Sequence, residues 1–363
     1  TGGNIMIEVG RIIAERYKIL SYVGKGGMQD VYKVLDLKLD LDLALKTPLP
    51  GLESKRFLKS AKIAAKINHH NIAKTFDYVE DNGNIFLAEE FVEGENLEEK
   101  LRHFDFLDPH YGACILHNLA KGIMASHKAD VIHRDLKPSN VMVSGGVQIS
   151  NLKITDFGIA TLTQELFDEA AASGDLTRST SGTIKGALPF MSPELMFGKK
   201  GKPIEASTDI WPLGAMMFKL LTGDYPFGVY LDAAVNVKTK NRMEWPTFMT
   251  ANPQYQSLSQ DLQKIVDKCL SYDSDKRPTA ETLVKACETL CYLSEERHVG
   301  RVNNLIQGGI SGFIDGTPSN SFFSMESVYG SRYPNTSTRN TVCYSTFDGH
   351  PWPRAHPVIL WKD

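Results

Sequence analysis

The sequence predicts an α+β chain with a small β-rich N-terminal part, a larger helical part and a short all-β part towards the C-terminus. Three observations carry this. Alternating apolar residues flank a glycine cluster near the start, long apolar helical patterns fill the middle, and from Val299 to Ile359 short β-like runs are interleaved with Gly, Ser, Asn and aromatic residues. At 363 residues, 42% of them hydrophobic, the chain can bury more than one core, so two domains are expected.

Taken in order, Tyr17 to Leu20 alternates like a strand, Gly24-Lys25-Gly26-Gly27-Met28 interrupts it, and Val31-Tyr32-Lys33-Val34 resumes. That pattern predicts a β-hairpin with a glycine-rich tip, whose backbone N–H groups can close on phosphate oxygens. The third glycine of a G-x-G-x-x-G pattern is replaced by Gln29. Leu43-Ala44-Leu45-Lys46 follows as an apolar strand, and an unpaired ammonium is costly on its buried face. Lys46 therefore calls for an anionic partner such as a nucleotide phosphate. Arg56 to Lys62 reads as a helix, and Ile85-Phe86-Leu87-Ala88 as a strand running into Glu89-Glu90-Phe91-Val92.

The densest chemistry lies in His133-Arg134-Asp135-Leu136-Lys137-Pro138-Ser139-Asn140, with Asp156-Phe157-Gly158 farther on. A carboxylate that can take a proton, a cation and oxygen ligands suited to a hard metal ion stand there at close spacing. Asp209-Ile210-Trp211-Pro212-Leu213-Gly214 opens another apolar helix, and Cys287 and Cys291 lie four apart in a helical pattern. With no second ligand pair near them, these two cysteines are read as core residues rather than a metal site.

Composition excludes several classes. Lys plus Arg total 40 against 43 Asp plus Glu, so no global basic field drives nucleic-acid binding, and such a partner needs a local patch. The five scattered cysteines suit a reducing compartment better than a disulfide framework. No apolar run approaches the roughly 20 residues of a membrane span, and no charged-then-apolar leader opens the chain. A cytoplasmic protein without a membrane partner is expected.

Gly24 to Val31, Lys46, His133 to Asn140, Asp156 to Gly158 and Ser192-Pro193-Glu194 together resemble a protein kinase, over about residues 11–290. The Gly-Gly-Met tip, Asn68-His69-His70-Asn71 and Phe190-Met191-Ser192-Pro193-Glu194 are most similar to bacterial-type Ser/Thr kinases. The resemblance implies a bilobal fold, with an N-lobe at about 11–92 and a helical C-lobe at about 93–290. It implies ATP and Mg²⁺ as cofactors, and serine and threonine hydroxyls of proteins, the chain itself included, as acceptors. Asp135 would accept or orient the hydroxyl proton, Lys137 would neutralise the transferring phosphoryl group, and Asn140 and Asp156 would hold magnesium. Gly24, Lys25, Gly26 and Gly27 would cover the phosphates. Val31 and Ala44 would roof the adenine pocket above Met142, with backbone groups from Glu90 to Val92 reading the purine edge. Asp209 would anchor the catalytic loop, and Glu194 with Arg277 would form a structural ion pair.

Two positions depart from the family pattern. The helix glutamate that normally pairs with the strand lysine is Ser60, and the threonine that normally bridges the catalytic Asp and Lys is Ala187. Glu89, where the family usually has an apolar gatekeeper, is a candidate substitute partner for Lys46; Glu53 reaching in, or a strand shift leaving Glu89 solvated, are the alternatives. These departures also leave open an ATP-binding pseudokinase that acts as a scaffold. Thr177, Ser179, Thr180, Ser181 and Thr183 lie in a long activation segment, where autophosphorylation would give Arg134 a phosphate to receive.

Beyond Leu290, His298-Val299-Gly300-Arg301-Val302, Gly312-Phe313-Ile314, Ser321-Phe322-Phe323 and Arg354-Ala355-His356-Pro357-Val358 loosely resemble a cold-shock domain, an OB-like β-barrel, at 297–363. The resemblance implies that Phe313, Phe322 and Phe323 stack on unpaired bases near Arg301, Arg332 and Arg339. Ile310 and Ser324 stand where that family usually places stacking residues. A single-stranded nucleic acid and a protein are both candidate partners of this part.

Overall fold

The structure is a computed structural model and describes residues 6–26, 29–49, 54–143, 146–157, 186–198, 203–316, 320–338 and 340–362. Gly27, Glu53, Gly158, Arg339 and the activation-segment hydroxyls from Thr177 to Thr183 lie outside the described residues, as does the side chain of Ser60.

The N-terminal lobe is one antiparallel sheet of β1 (Ile12–Ile13), β2 (Tyr17–Lys25), β3 (Gln29–Asp36), β4 (Leu41–Pro48), β5 (Thr75–Asp81) and β6 (Asn84–Glu90), with α1 (Ser54–Ala64) between β4 and β5. The spatial order is β1-β2-β3-β4-β6-β5, so β4 is interior and can bury side chains on both faces. This explains why Leu43, Ala44, Leu45 and Lys46 are buried in succession. Residues directly opposite one another share a face. Val31 pairs with Lys46, Lys33 with Ala44 and Gln29 with Pro48, while Ala44 pairs with Glu89 and Lys46 with Leu87. Gln29, Val31, Ala44, Lys46 and Glu89 therefore share one face. The opposite face buries Tyr32, Val34, Leu43, Leu45, Phe86 and Ala88 against Ile13, Tyr17 and Ile19.

The helical lobe follows. Short β7 (Glu95–Asn96), β8 (Val141–Val143) and β9 (Lys153–Ile154) form a small sheet beside α2 (Leu97–Lys100) and the long α3 (Pro109–Lys128). Asp108 precedes Pro109 and caps α3 by accepting from the N–H groups of His110 and Tyr111. An Asp-Pro start is a strong helix signal, because proline fits the first turn and the carboxylate takes its spare donors. Next come α4 (Pro193–Phe197), α5 (Ile210–Thr222), α6 (Tyr230–Thr239), α7 (Phe248–Ala251), α8 (Pro253–Cys269) and α9 (Ala280–Glu288). Helix α5 is buried along nearly its whole length and stops at Gly223, whose φ of 84° favours glycine. Cys287 is in the core as expected, whereas Cys291, just past the end of α9, is exposed, which corrects its reading as a core residue; both are free thiols.

The last strands, β10 (His298–Ile306), β11 (Ser311–Gly316), β12 (Ser321–Ser324), β13 (Thr341–Phe347) and β14 (Arg354–Leu360), close into a barrel in the order β10-β11-β12-β14-β13. Val302, Ile314, Phe323, Val342, Tyr344 and Val358 fill it. The barrel is packed tightly onto the helical lobe: Tyr329, Cys343 and Ile359 belong to that lobe's own core, and Trp361 stacks on His103 at 4.5 Å. Tyr255 of α8 donates to the Ser327 carbonyl, and Asn252 Nδ2 donates to the Glu326 carbonyl at 2.8 Å. Arg297, the residue before β10, is buried against Asp108 at 3.0 Å. No helix among the described residues is long and apolar enough to cross a membrane.

Candidate active site

The sheet register aims Lys46 and Glu89 at one another. Glu89 stands opposite Ala44, two residues from Lys46 on the same face, a diagonal spacing that a lysine and a glutamate can bridge. Lys46 Nζ donates to Glu89 Oε2 at 2.5 Å and to Asp156 Oδ1 at 2.7 Å, and the Lys46 and Glu89 side chains are only 7% and 5% exposed. Of the alternatives open for Lys46, the shift that would leave Glu89 solvated is ruled out, because Glu89 is buried.

One ammonium here faces two carboxylates, and the electrostatics divide accordingly. Burial alone would lower the Lys46 ammonium, but Asp156 and Glu89 override it and hold it protonated, well above the ordinary lysine value. Burial alone would raise the Asp156 carboxyl; Lys46 and a hydrogen bond from Gln29 outweigh that, and the net shift is downward. Among the described residues Glu89 has Lys46 but no second donor, so burial, helped by the nearby Asp156 carboxylate, outweighs Lys46 and its carboxyl is pushed up. Asp156 itself has a left-handed φ of 63°, which aspartate tolerates better than most residues.

The catalytic-loop residues converge beside this cluster. Lys137 Nζ donates to Asp135 Oδ2 at 2.9 Å, and Asn140 Nδ2 donates to the Asp135 carbonyl at 2.8 Å and to Oδ2 at 3.3 Å. With its amide nitrogen committed in this way, Asn140 has its side-chain oxygen left to offer a cation. The loop is held from below by Asp209, fully buried ahead of α5, which accepts from the backbone N–H groups of His133 (2.8 Å) and Arg134 (2.7 Å). His127 contacts the same carboxylate at 2.9 Å. Arg134 is held at a φ of 68°, and its Nε is buried with no partner among the described residues. His133 Nε2 lies 2.9 Å from the Thr155 carbonyl, which ties the loop to the chain just ahead of Asp156.

Val31 and Ala44 share the Lys46 face, and Met142 lies in β8, where it pairs with Lys153 of β9 and Asn96 of β7. Glu90 commits its backbone N–H to the Lys74 carbonyl at 2.8 Å and its carboxylate to Lys153 at 3.0 Å. Val92 lies just beyond β6, half-buried. Gly24 pairs with Val31 and Lys25 with Asp30 at the hairpin end, beside Gly26. Farther off, Glu194 and Arg277 form a two-pronged pair at 2.6 and 2.8 Å with the Arg277 side chain fully buried. Ala187 is buried and brings no hydroxyl.

The sequence reading missed two contacts. Gln29 Nε2 donates to Asp156 Oδ1 at 2.8 Å, and Asp108 pairs with Arg297. The expected base-stacking set on the barrel needs correction. Phe323 is 1% exposed and points into the barrel core, because alternation along β12 sends it to the face opposite Phe322. Arg332 lies against Asp105 of the helical lobe. The outer aromatic group is instead Phe313, Phe322 and the half-exposed Trp352, with Arg354 over the Phe322 ring at 4.5 Å.

The protein kinase domain family matches residues 17–287. The serine/threonine-protein kinase PrkC of Bacillus subtilis is 31% identical over 282 residues, which are 76% of this chain and 40% of that protein. Serine/threonine-protein kinase pkn3 of Myxococcus xanthus is 32% identical over 285 residues, 77% of this chain and 50% of its own length. Serine/threonine-protein kinase PknJ of Mycobacterium bovis is 27% identical over 349 residues, 94% of this chain and 54% of its own length. The chain thus spans about half the length of the curated relatives it matches.

Proposed function

The chain belongs to the protein kinase domain family, and from that premise we propose that it transfers the γ-phosphate of ATP to serine and threonine hydroxyls of proteins, itself included. The observation that carries this reading is the convergence of Asp135, Lys137 and Asn140 beside the Lys46–Asp156 pair. Asp135, anionic and within hydrogen-bond reach of Lys137, accepts or orients the proton of the attacking hydroxyl. Lys137 offsets the charge of the group in transit, and Lys46 holds phosphate oxygens. Asn140 and Asp156 would hold Mg²⁺, and their donor set suits it, since a hard cation takes a few protein oxygens and fills its remaining positions from phosphate and water. Bound there, magnesium supplies charge neutralisation on the phosphates. Val31, Ala44 and Met142 give the adenine ring apolar walls, and Gly24, Lys25, Gly26 and Gly27 cover the phosphates.

Incubation with [γ-³²P]ATP and Mg²⁺, followed by acid hydrolysis, tests this. Phosphoserine or phosphothreonine on the chain or on a generic basic protein is the expected result. Bound ATP with no transfer would make the chain a scaffold.

The kinase domain is proposed to span 11–290, with lobes at about 11–92 and 93–290, and a cold-shock-like, OB-like barrel to span 297–363. The five free cysteines fit a cytoplasmic setting. Phe313, Phe322, Trp352 and Arg354 offer the barrel an aromatic and cationic outer face suited to unpaired bases. Retardation of single-stranded RNA by the full chain, weakened by salt and by Trp352→Ala, is the expected result. No retardation at low salt would turn the search to a protein partner.

A further inference from the structure

Gln29 stands where the glycine-rich loop's spacing calls for a third glycine, and its side chain is directed into the cleft. Gln29 is 4% exposed and lies on the sheet face that carries Val31 and Lys46. Its Nε2 donates to Asp156 Oδ1 at 2.8 Å, across 127 residues of chain, while its Oε1 is buried with no partner among the described residues. The hydrogen bond fixes which end of the amide is which, because the reverse orientation would set two acceptors face to face. A buried carbonyl oxygen without a donor is rare in folded proteins and calls for an explanation. This one lies on a side chain already bonded to the aspartate assigned to magnesium.

We propose that Gln29 is a third protein ligand of the magnesium site, giving its Oε1 to the ion beside Asp156 and Asn140. The inference rests on the kinase reading of Asp156. An amide carbonyl is a hard oxygen of the kind magnesium accepts, and being neutral it adds no repulsion towards the phosphates. Glycine at this position would let the loop's backbone approach the phosphates; glutamine sends a side-chain oxygen there instead. The loop thereby gains a direct grip on the metal.

The test is metal-dependent binding of a fluorescent ATP analogue to the full chain, read by fluorescence and without turnover. Gln29→Leu is expected to raise the Mg²⁺ concentration for half-maximal binding by about 10-fold, with affinity for the metal-free nucleotide in EDTA unchanged. Gln29→Glu, which keeps an oxygen at the same reach, is expected to hold the half-maximal Mg²⁺ concentration at or below the wild-type value. Gln29→Asn, one methylene too short, is expected to behave like the leucine variant and serves in its place if that variant fails to fold. An unchanged Mg²⁺ requirement in Gln29→Leu and Gln29→Asn would overturn the proposal. A lowered one in these two variants would also overturn it, and would make Gln29 a latch that competes with the ion for Asp156. Nucleotide binding absent from the wild-type chain itself would overturn the kinase reading, and with it this one.

Discussion

Asp135→Asn is expected to lower the rate of phosphate transfer from ATP to a protein hydroxyl by about 10³-fold, while nucleotide affinity stays within about threefold of wild type. The substitution keeps the shape of the side chain and an oxygen that can receive the Lys137 and Asn140 hydrogen bonds. What it removes is the negative charge and the capacity to take a proton. Among the described residues the hydrogen bonds to the Asp135 carboxylate come from Lys137 and Asn140 and not from Lys46 or the sheet, so binding has no reason to change. Initial rates with labelled ATP, paired with nucleotide titration, separate the two effects. Parallel losses of rate and affinity would assign Asp135 to binding rather than to proton transfer.

Arg297→Met is expected to destabilise the chain by roughly 3–5 kcal/mol, because it leaves a buried carboxylate without its cation. The Asp108 and Arg297 side chains are 0% and 2% exposed, and the guanidinium also lies over the Tyr111 ring at 4.1 Å. Gln148 fastens the same segment, donating to the Arg297 carbonyl and accepting from its N–H. This pair joins the first turn of α3 to the root of the barrel. Replacing both partners, Asp108→Asn with Arg297→Met, is expected to recover part of the loss, since no buried charge is then stranded.

The pH dependence of that deficit has a definite sign. Burial alone would raise the Asp108 carboxyl, but Arg297 and the cap hydrogen bonds override it and the net shift is downward. The wild-type pair therefore contributes stability that is present above the unfolded carboxyl value, near 4, and lost as pH falls through the folded one. Without Arg297, burial dominates and the carboxyl rises, so folding then favours the protonated form. Urea denaturation should show a deficit that is larger at pH 7 than at pH 4. An equal deficit at both values would mean that the pair is not the source.

The sequence was most legible where function confines residues to short stretches. The spacing from His133 to Asn140 is set by one loop, and the structure brings Asp135, Lys137 and Asn140 together there. The Lys46–Glu89 contact was also within reach of sequence reasoning, because a lysine and a glutamate each interrupting an apolar strand need one another, and adjacent strands supply the register. Gln29 was visible only as a missing glycine, since nothing local says that its amide spans the cleft. The Asp108–Arg297 pair joins positions 189 residues apart, and each has an ordinary local reading, as a helix cap and as a charged linker residue. Within the barrel, a single step of alternation separates Phe322 from Phe323, and that step decides which ring is outside.

Whether a strand carboxylate replaces the helix carboxylate absent at position 60 is tested most directly by the kcat and KM for ATP of Glu89→Ala. Of its two anchors among the described residues, Lys46 would keep Asp156 and lose Glu89, and would be drawn off the phosphate position. A fall in kcat/KM of roughly 10–10²-fold is expected, corresponding to about 1.4–2.8 kcal/mol of lost transition-state stabilisation, together with weaker nucleotide binding. A Glu89→Ala chain with wild-type nucleotide affinity and wild-type turnover would contradict it.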